Sequence, residues 1–266
     1  MWMLYVWMAM QIIVEVLPIS SSSHLRLLEA WFKRTFSWDV AEYFSKKNIA
    51  LADVYYLLHL PTLGIVVFFF IPYLHMWFLQ PGLLPRILIW VIVADVITAC
   101  FYYLFKKYSI AWPMLFGLCI TALALLYTGA CDPTRGITDW SYTTAIWLGI
   151  AQGIAIMPGI SRLAFTTAAG CCLGFSLLHA FIISWLIYVP LMAAAIAKSG
   201  INLYQKGTLS QLLNIKTCLV MLVSGALSWY LFIRLLLPLI FLNKWWLLGW
   251  YMALPIGLWI LLAKKD

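Results

Sequence analysis

An all-α, polytopic integral membrane protein is the fold class this sequence predicts, and three observations carry the prediction. The chain of 266 residues is 65% hydrophobic and only 10% charged, against roughly 45–50% apolar and 25% charged in soluble domains. Its mean hydropathy is +0.97. The apolar residues gather into blocks near 3–17, 50–71, 82–105, 112–130, 142–158, 163–197, 216–242 and 245–263. A spanning helix needs roughly 20 such residues, so not all eight are expected to be full spans.

Taken in order, the first block has neither a basic flank nor a small-residue cleavage site, and it runs straight into polar residues. It reads as part of the mature chain and not as a removable signal. Short polar connections follow at 33–49, 106–111, 131–141 and 198–215, none of low complexity, which predicts one membrane domain over 1–266. Lys33, Arg34, Lys46, Lys47, Lys106, Lys107, Lys264 and Lys265 flank the blocks and explain much of the net charge of +8 without any nucleic-acid partner. They fall in too many successive connections to fix orientation. Trp245 and Trp246 beside Lys244 read as an interfacial belt. Cys100, Cys119, Cys131, Cys171, Cys172 and Cys218 show no metal-ligand spacing and read as small buried residues.

Two blocks carry the chemistry. Residues 11–24 read QIIVEVLPISSSSH and residues 151–162 read AQGIAIMPGISR, each an apolar run broken at proline and continued by polar residues. The two align with a one-residue gap, and a glutamine precedes each, at Gln11 and Gln152. A weak repeat of this kind points to a site where two halves of an inverted-repeat membrane fold meet. The halves fall at about 1–130 and 140–266. Gly149-x-x-x-Gly153 and Gly170-x-x-x-Gly174 flank the second motif with small-residue faces suited to close helix packing.

Pro18 lacks an N–H and disfavours helix for the residue before it, so the first helix should break near Leu17 and a second should start among the serines. Irregular backbone at membrane depth must be buried or line a wet cavity. The free amides of a helix start suit an anion, phosphate above all. Pro158-Gly159 repeats the device ahead of Ser161 and Arg162, so two half-helices would converge on one anion. In a helix from residue 20, Ser20 and Ser21 share a face with His24, which makes a plausible nucleophile and base. Glu15 could orient that imidazole, take a proton or help hold a divalent cation. Arg162 is an arginine deep in apolar sequence, a functional candidate by its cost, with a fork that suits phosphate. Asp53, His59 and Asp95 are left outside the site: Asp53 as a solvated block-edge residue, His59 as a satisfied buried histidine, Asp95 for want of a partner.

On these residues the chain resembles the bacterial undecaprenyl-diphosphate phosphatase, or bacitracin-resistance, family. EVLPISSSSH is similar to the family motif E-G-x-x-E-x-L-P-[VI]-S-S-[ST]-[GA]-H, and PGISR with Thr166 to half of P-G-x-S-R-S-G-A-T. LLHLPTLGIVVFF and the approach DWSYTTAIWLGIAQGIAIMPGISR extend the likeness, as do Gly170, Leu173-Gly174, Ser184 and Pro190. The resemblance implies about six transmembrane helices plus two re-entrant helix hairpins related by an inverted repeat, often as a homodimer, in a bacterial cytoplasmic (inner) membrane. It implies hydrolysis of a polyprenyl diphosphate to the monophosphate carrier of cell-wall synthesis, with a divalent cation (Mg2+ or Ca2+). By position it makes Glu15, Ser21, His24 and Arg162 catalytic and places Glu15 at the metal. Gln11, Ser20, Ser22, Gly159 and Ser161 are then expected to bind substrate.

The chain departs from the pattern at telling places. Gln11 stands where the family has its first glutamate, Leu163, Ala164 and Phe165 replace Ser-Gly-Ala, Pro61 replaces a glycine, and a later basic and acidic pair falls at Leu177 and Ile182. Two readings of different class follow. Retention of Glu15, Ser21, His24 and Arg162 favours a phosphatase, by serine or by water attack. The departures favour a carrier of polyprenyl phosphate, or an inactive relative, using the same anion site without hydrolysis.

Overall fold

The computed structural model describes residues 2–109, 112–131 and 134–263. Lys264 and Lys265 lie outside the described residues, as do parts of the connections expected at 106–111 and 131–141. The described chain is helical, with one isolated bridge between Arg135 and Phe175. In chain order the helices are α1 (Trp2–Glu15), α2 (Ser21–Phe36), α3 (Val40–Ser45), α4 (Leu51–Leu57), α5 (Leu60–Phe78), α6 (Leu83–Lys107) and α7 (Met114–Thr128). A 3₁₀ turn at Ile137–Asp139 leads into α8 (Tyr142–Ile154), α9 (Arg162–Cys172), α10 (Leu177–Gln205), α11 (Leu209–Leu212), α12 (Ile215–Leu231), α13 (Leu237–Phe241), α14 (Leu247–Tyr251) and α15 (Ala253–Ala263).

Among the described residues four helical stretches are long and apolar enough to cross a membrane: Leu51–Phe78, Leu83–Lys107, Leu177–Gln205 and Ile215–Phe241. Helices α1, α7 and the stretch Leu247–Leu262 are apolar but shorter. The fourth long stretch widens into a π segment at Phe232–Leu236 just before Pro238. Proline offers no N–H to the preceding turn, and a π bulge is one way a helix absorbs that loss.

Both proline-broken motifs form helix–break–helix pairs, α1–α2 and α8–α9, and each pair packs on helices from the other half of the chain. Helix α1 lies on α12 and α8 lies on α6; α2 meets α15 and α9 meets α7. The polar pins match as well. Ser228 on α12 donates to Ile12 O at 3.1 Å and to its own Ser224 O at 2.7 Å. Thr98 on α6 donates to Gly149 O at 3.3 Å and to its own Ala94 O at 2.9 Å. Glycines permit the closeness: a Cβ at Gly149 would stand 2.7 Å from Ala94 O, and one at Gly153 would enter the Phe101 ring.

Several sequence expectations are corrected by packing. Trp245 is no surface anchor, being fully buried with its ring edge-on to Phe181 at 5.5 Å. Of the described cysteines only Cys171 is buried. The block 163–197 is two helices, and α10 runs to Gln205, into the connection expected at 198–215. Asp53 is only 7% exposed and accepts from Asn202 Nδ2 at 3.1 Å, so it is a paired group inside the bundle and not a solvated edge.

Candidate active site

The two breaks face each other across a cavity of about 360 Å³. Gln11, Glu15, Ser20, Ser21 and Ser22 line it from the first pair, Pro158, Ile160, Ser161 and Arg162 from the second. His59, Tyr55 and Tyr56 complete it from α4–α5, Trp185 and Tyr188 from α10, and Arg26 also reaches it.

The first break is held by its own serines. Ser20 takes a left-handed backbone (φ 64) that is costly for a non-glycine residue. Its carbonyl accepts from His24 Nδ1 at 2.9 Å, and its Oγ lies 2.8 Å from Ser23 Oγ, which in turn donates to Met114 Sδ. No side chain caps the start of α2, so amides of its first turn remain available to an anion. The second break is clamped from α7. Thr121 Oγ1 donates to Gly159 O at 2.9 Å and accepts from Ser161 N at 2.8 Å. Ser161 caps α9 by accepting from Ala164 N, so Arg162 enters the cavity from a fixed helix start.

Glu15 is the centre of the polar lining, with a side chain 8% exposed. Its Oε2 accepts from Ser21 Oγ at 2.6 Å and from Gln11 Nε2 at 3.1 Å. Its Oε1 accepts from Tyr188 Oη at 2.8 Å and faces His59 Nε2 at 3.1 Å. His59 Nδ1 lies 2.7 Å from Tyr55 O. Carbonyl and carboxylate oxygens only accept, so both nitrogens of His59 donate. Arg162 forms no salt bridge among the described residues; its guanidinium lies 4.3 Å from the centre of the Tyr188 ring. Its Nε is buried with no partner. A buried, unpaired cationic donor is expensive, and an anion in the cavity is the partner it lacks.

The structure therefore brings Gln11, Glu15, Ser20, Ser21, Ser22, Ser161 and Arg162 to one cavity. It does not bring His24 there. That imidazole is buried on another face of α2, where Nδ1 donates to Ser20 O and Nε2 lies 3.0 Å from Tyr251 Oη, with the two rings stacked. Gly159 (φ +88) turns the backbone against α7 and offers the cavity no surface of its own. His59, left out on sequence grounds, meets Glu15 directly. Asp95 also has a partner, accepting from Gln152 Nε2 at 3.1 Å. Nothing in the sequence announced Tyr188; the signal for His59 was its place in LLHLPTLGIVVFF, two residues before the proline that opens α5.

Among the described residues no group of three His, Cys, Asp or Glu side chains is placed to hold a metal ion. Glu15 is the one carboxylate of the described lining, while the neighbouring Gln11 Oε1 is buried without a partner. One carboxylate beside a free amide oxygen fits a hard cation that arrives with phosphate oxygens and completes its shell with them, as Mg2+ commonly does. It does not fit a cage built of protein ligands alone.

Comparison with known proteins points to one family. The family model for bacitracin resistance protein BacA matches residues 6–258. Curated relatives named undecaprenyl-diphosphatase include one from Halorhodospira halophila, 29% identical over 79% of each chain. One from Moorella thermoacetica is 34% identical over 68% of this chain and 69% of its own. A third, from Geotalea daltonii, is 28% identical over 90% of this chain and 89% of its own. Since the match runs through both broken helix pairs and nearly every helix between and after them, the chain belongs to the bacitracin resistance protein BacA family.

Proposed function

We propose that this multi-pass membrane protein is an undecaprenyl-diphosphate phosphatase of the bacterial cytoplasmic membrane, releasing inorganic phosphate and returning the monophosphate lipid carrier. The observation that carries the reading is the Ser21 hydroxyl, 2.6 Å from the Glu15 carboxylate, in one cavity with the unpaired Arg162. In-line phosphoryl transfer is mostly positioning and charge neutralisation, and this cavity supplies both. Arg162 and the uncapped start of α2 would hold the terminal phosphate. Ser21 Oγ attacks its phosphorus while its proton passes to Glu15 Oε2. The bond from phosphorus to the bridging oxygen breaks, and undecaprenyl phosphate leaves. Glu15 passes that proton to the departing undecaprenyl phosphate and then deprotonates a water that attacks the phosphoserine phosphorus. The proton returns to Ser21 Oγ as the bond from Oγ to phosphorus breaks and inorganic phosphate leaves. His59 holds Glu15 from the opposite side, at Oε1, so that Oε2 stays on Ser21.

A divalent cation, Mg2+ or Ca2+, would be held by Glu15, by Gln11 Oε1 and by the diphosphate itself, and would neutralise part of the substrate's charge. In this reading α1–α2 and α8–α9 are re-entrant hairpins that enter the membrane and turn back at their breaks. About six helices span it, in two interleaved inverted repeats at about 1–130 and 140–266. The reciprocal packing of the pairs and the matched Ser228 and Thr98 pins support that topology. A homodimer is compatible with the apolar outer faces, and the polyprenyl tail would lie among them.

The test is phosphate release from undecaprenyl diphosphate by the purified protein, with and without Mg2+ or Ca2+, beside Arg162→Ala. Release by wild type with at least a hundredfold loss in the variant is expected. Lipid binding without release under every condition would replace the phosphatase reading with a carrier.

A further inference from the structure

We propose that Tyr188 is the positioning residue of this site, holding the phosphate clamp Arg162 and the proton acceptor Glu15 apart while aiming each; the proposal rests on the phosphatase reading. An arginine and a glutamate sharing one largely buried cavity attract one another strongly, and their natural end state is a two-pronged ion pair. Such a pair would occupy the donors meant for phosphate and the oxygen meant for the Ser21 proton. Among the described residues no such pair forms. Tyr188 touches both groups. Its hydroxyl donates to Glu15 Oε1 at 2.8 Å, and the face of its ring lies 4.3 Å from the Arg162 guanidinium.

The two contacts differ in what they consume. A hydroxyl on Oε1 anchors the carboxylate and leaves Oε2 on Ser21. A ring face attracts a guanidinium without using any of its five N–H donors, which agrees with an Nε that is buried and unpartnered. Tyr188 can carry both loads because it is itself fixed: it is 8% exposed and packs at 5.8 Å on the ring of Trp185, which is fully buried.

Full-length protein carrying Tyr188→Phe or Tyr188→Leu separates the roles. Each is assayed for phosphate release from undecaprenyl diphosphate and for affinity toward inorganic pyrophosphate. Tyr188→Phe keeps the ring and loses the hydroxyl: kcat should fall about tenfold, the worth of one hydrogen bond to a charged group, with KM and pyrophosphate affinity within about twofold of wild type. Tyr188→Leu should show the same fall in kcat and, in addition, about fivefold weaker KM and pyrophosphate binding, the worth of a partly desolvated cation–π contact. Wild-type kcat in Tyr188→Phe overturns the hydroxyl's role whatever the leucine variant does. Equal losses in both variants would mean that the ring face does nothing for Arg162, and would overturn the proposal. If wild type releases no phosphate, the phosphatase reading fails on its own. Pyrophosphate affinity still decides the clamp, since wild-type affinity in Tyr188→Leu would overturn it.

Discussion

The imidazole that reaches Glu15 is that of His59, with Nε2 at 3.1 Å from Oε1. It arrives from the start of α5, not from the serine motif, and its other nitrogen is fixed by the Tyr55 carbonyl one turn earlier. Glu15 is thus held from two sides, by His59 and Tyr188 at one oxygen and by Ser21 and Gln11 at the other.

This pairing reverses the expected effect of the two histidines. His59→Ala should lower kcat/KM by about a hundredfold or more, the usual scale for losing a positioned acid–base partner, with little change in KM. His24→Ala should instead cost about 1–3 kcal/mol of stability, because it removes a buried imidazole hydrogen-bonded to the Ser20 carbonyl and the Tyr251 hydroxyl. Phosphate release and thermal melting of the detergent-solubilised variants check both. A His24→Ala protein that melts like wild type yet loses more activity than His59→Ala would refute the assignment.

Among the four serines, only Ser21 touches Glu15. Ser21→Ala should abolish measurable turnover, whereas Ser22→Ala, at an exposed position, should stay within about tenfold, near the loss of a single hydrogen bond. Rapid-quench mass spectrometry should find a phosphoryl group on Ser21 during turnover. Full activity in Ser21→Ala would transfer the attack to water.

How much of this was legible follows from the range of the interactions. The breaks at Pro18 and Pro158-Gly159 follow from backbone chemistry within a few residues, and so the helix starts at Ser21 and Arg162 could be read directly. The meeting of Glu15, Ser21 and Arg162 was readable because one pair of motifs carries all three. His24 misled because spacing along a helix gives a shared face, while the direction of that face depends on α15 and Tyr251 packing against it. His59 and Tyr188 were hidden for the converse reason: each sits alone in apolar sequence and acquires its role only when α5 and α10 bring it to Glu15. Trp245 followed the same logic, since only the packing of Phe181 against its ring removes it from the surface.

Gln11 donates to Glu15 Oε2 at 3.1 Å, so Gln11→Glu would set two carboxylates at hydrogen-bond distance. Like charges that close cannot both stay ionised without a proton or a cation between them. The variant should therefore lose activity in chelator, by about tenfold on the scale of one displaced hydrogen bond to a charge. It should gain over wild type in saturating Mg2+ or Ca2+. Titration of the cation at fixed substrate gives the answer, and an identical cation dependence for both proteins would remove Gln11 from the cation's surroundings.

Arg162→Lys keeps the charge but not the fork or the flat face that meets Tyr188. Lysine is a point donor and stacks less well, so KM should rise about tenfold and kcat should fall with it, at unchanged melting temperature. Kinetics matching wild type would show that charge alone suffices and that the planar contact with Tyr188 is incidental.

The backbone that presents Arg162 is held against α7. A Cβ on Gly117 would stand 2.1 Å from Pro158 O and 2.7 Å from Gly159 Cα, so α7 and the second break leave no room for a side chain between them. Gly117→Ala should cost about 1–3 kcal/mol as overpacking and displace the break. Thr121→Val is the finer probe, because it preserves volume while removing the hydroxyl that donates to Gly159 O and accepts from Ser161 N. It leaves a buried N–H and a buried carbonyl unpaired, at about 1–3 kcal/mol, and frees the start of α9. If the clamp positions Arg162, Thr121→Val should raise KM for the diphosphate at temperatures well below its melting point, while Gly225→Ala, whose new Cβ would meet only Pro61 Cβ at 3.1 Å, should leave KM alone. A KM unchanged in Thr121→Val, with melting lowered as expected, would show that the clamp serves the fold and not the anion.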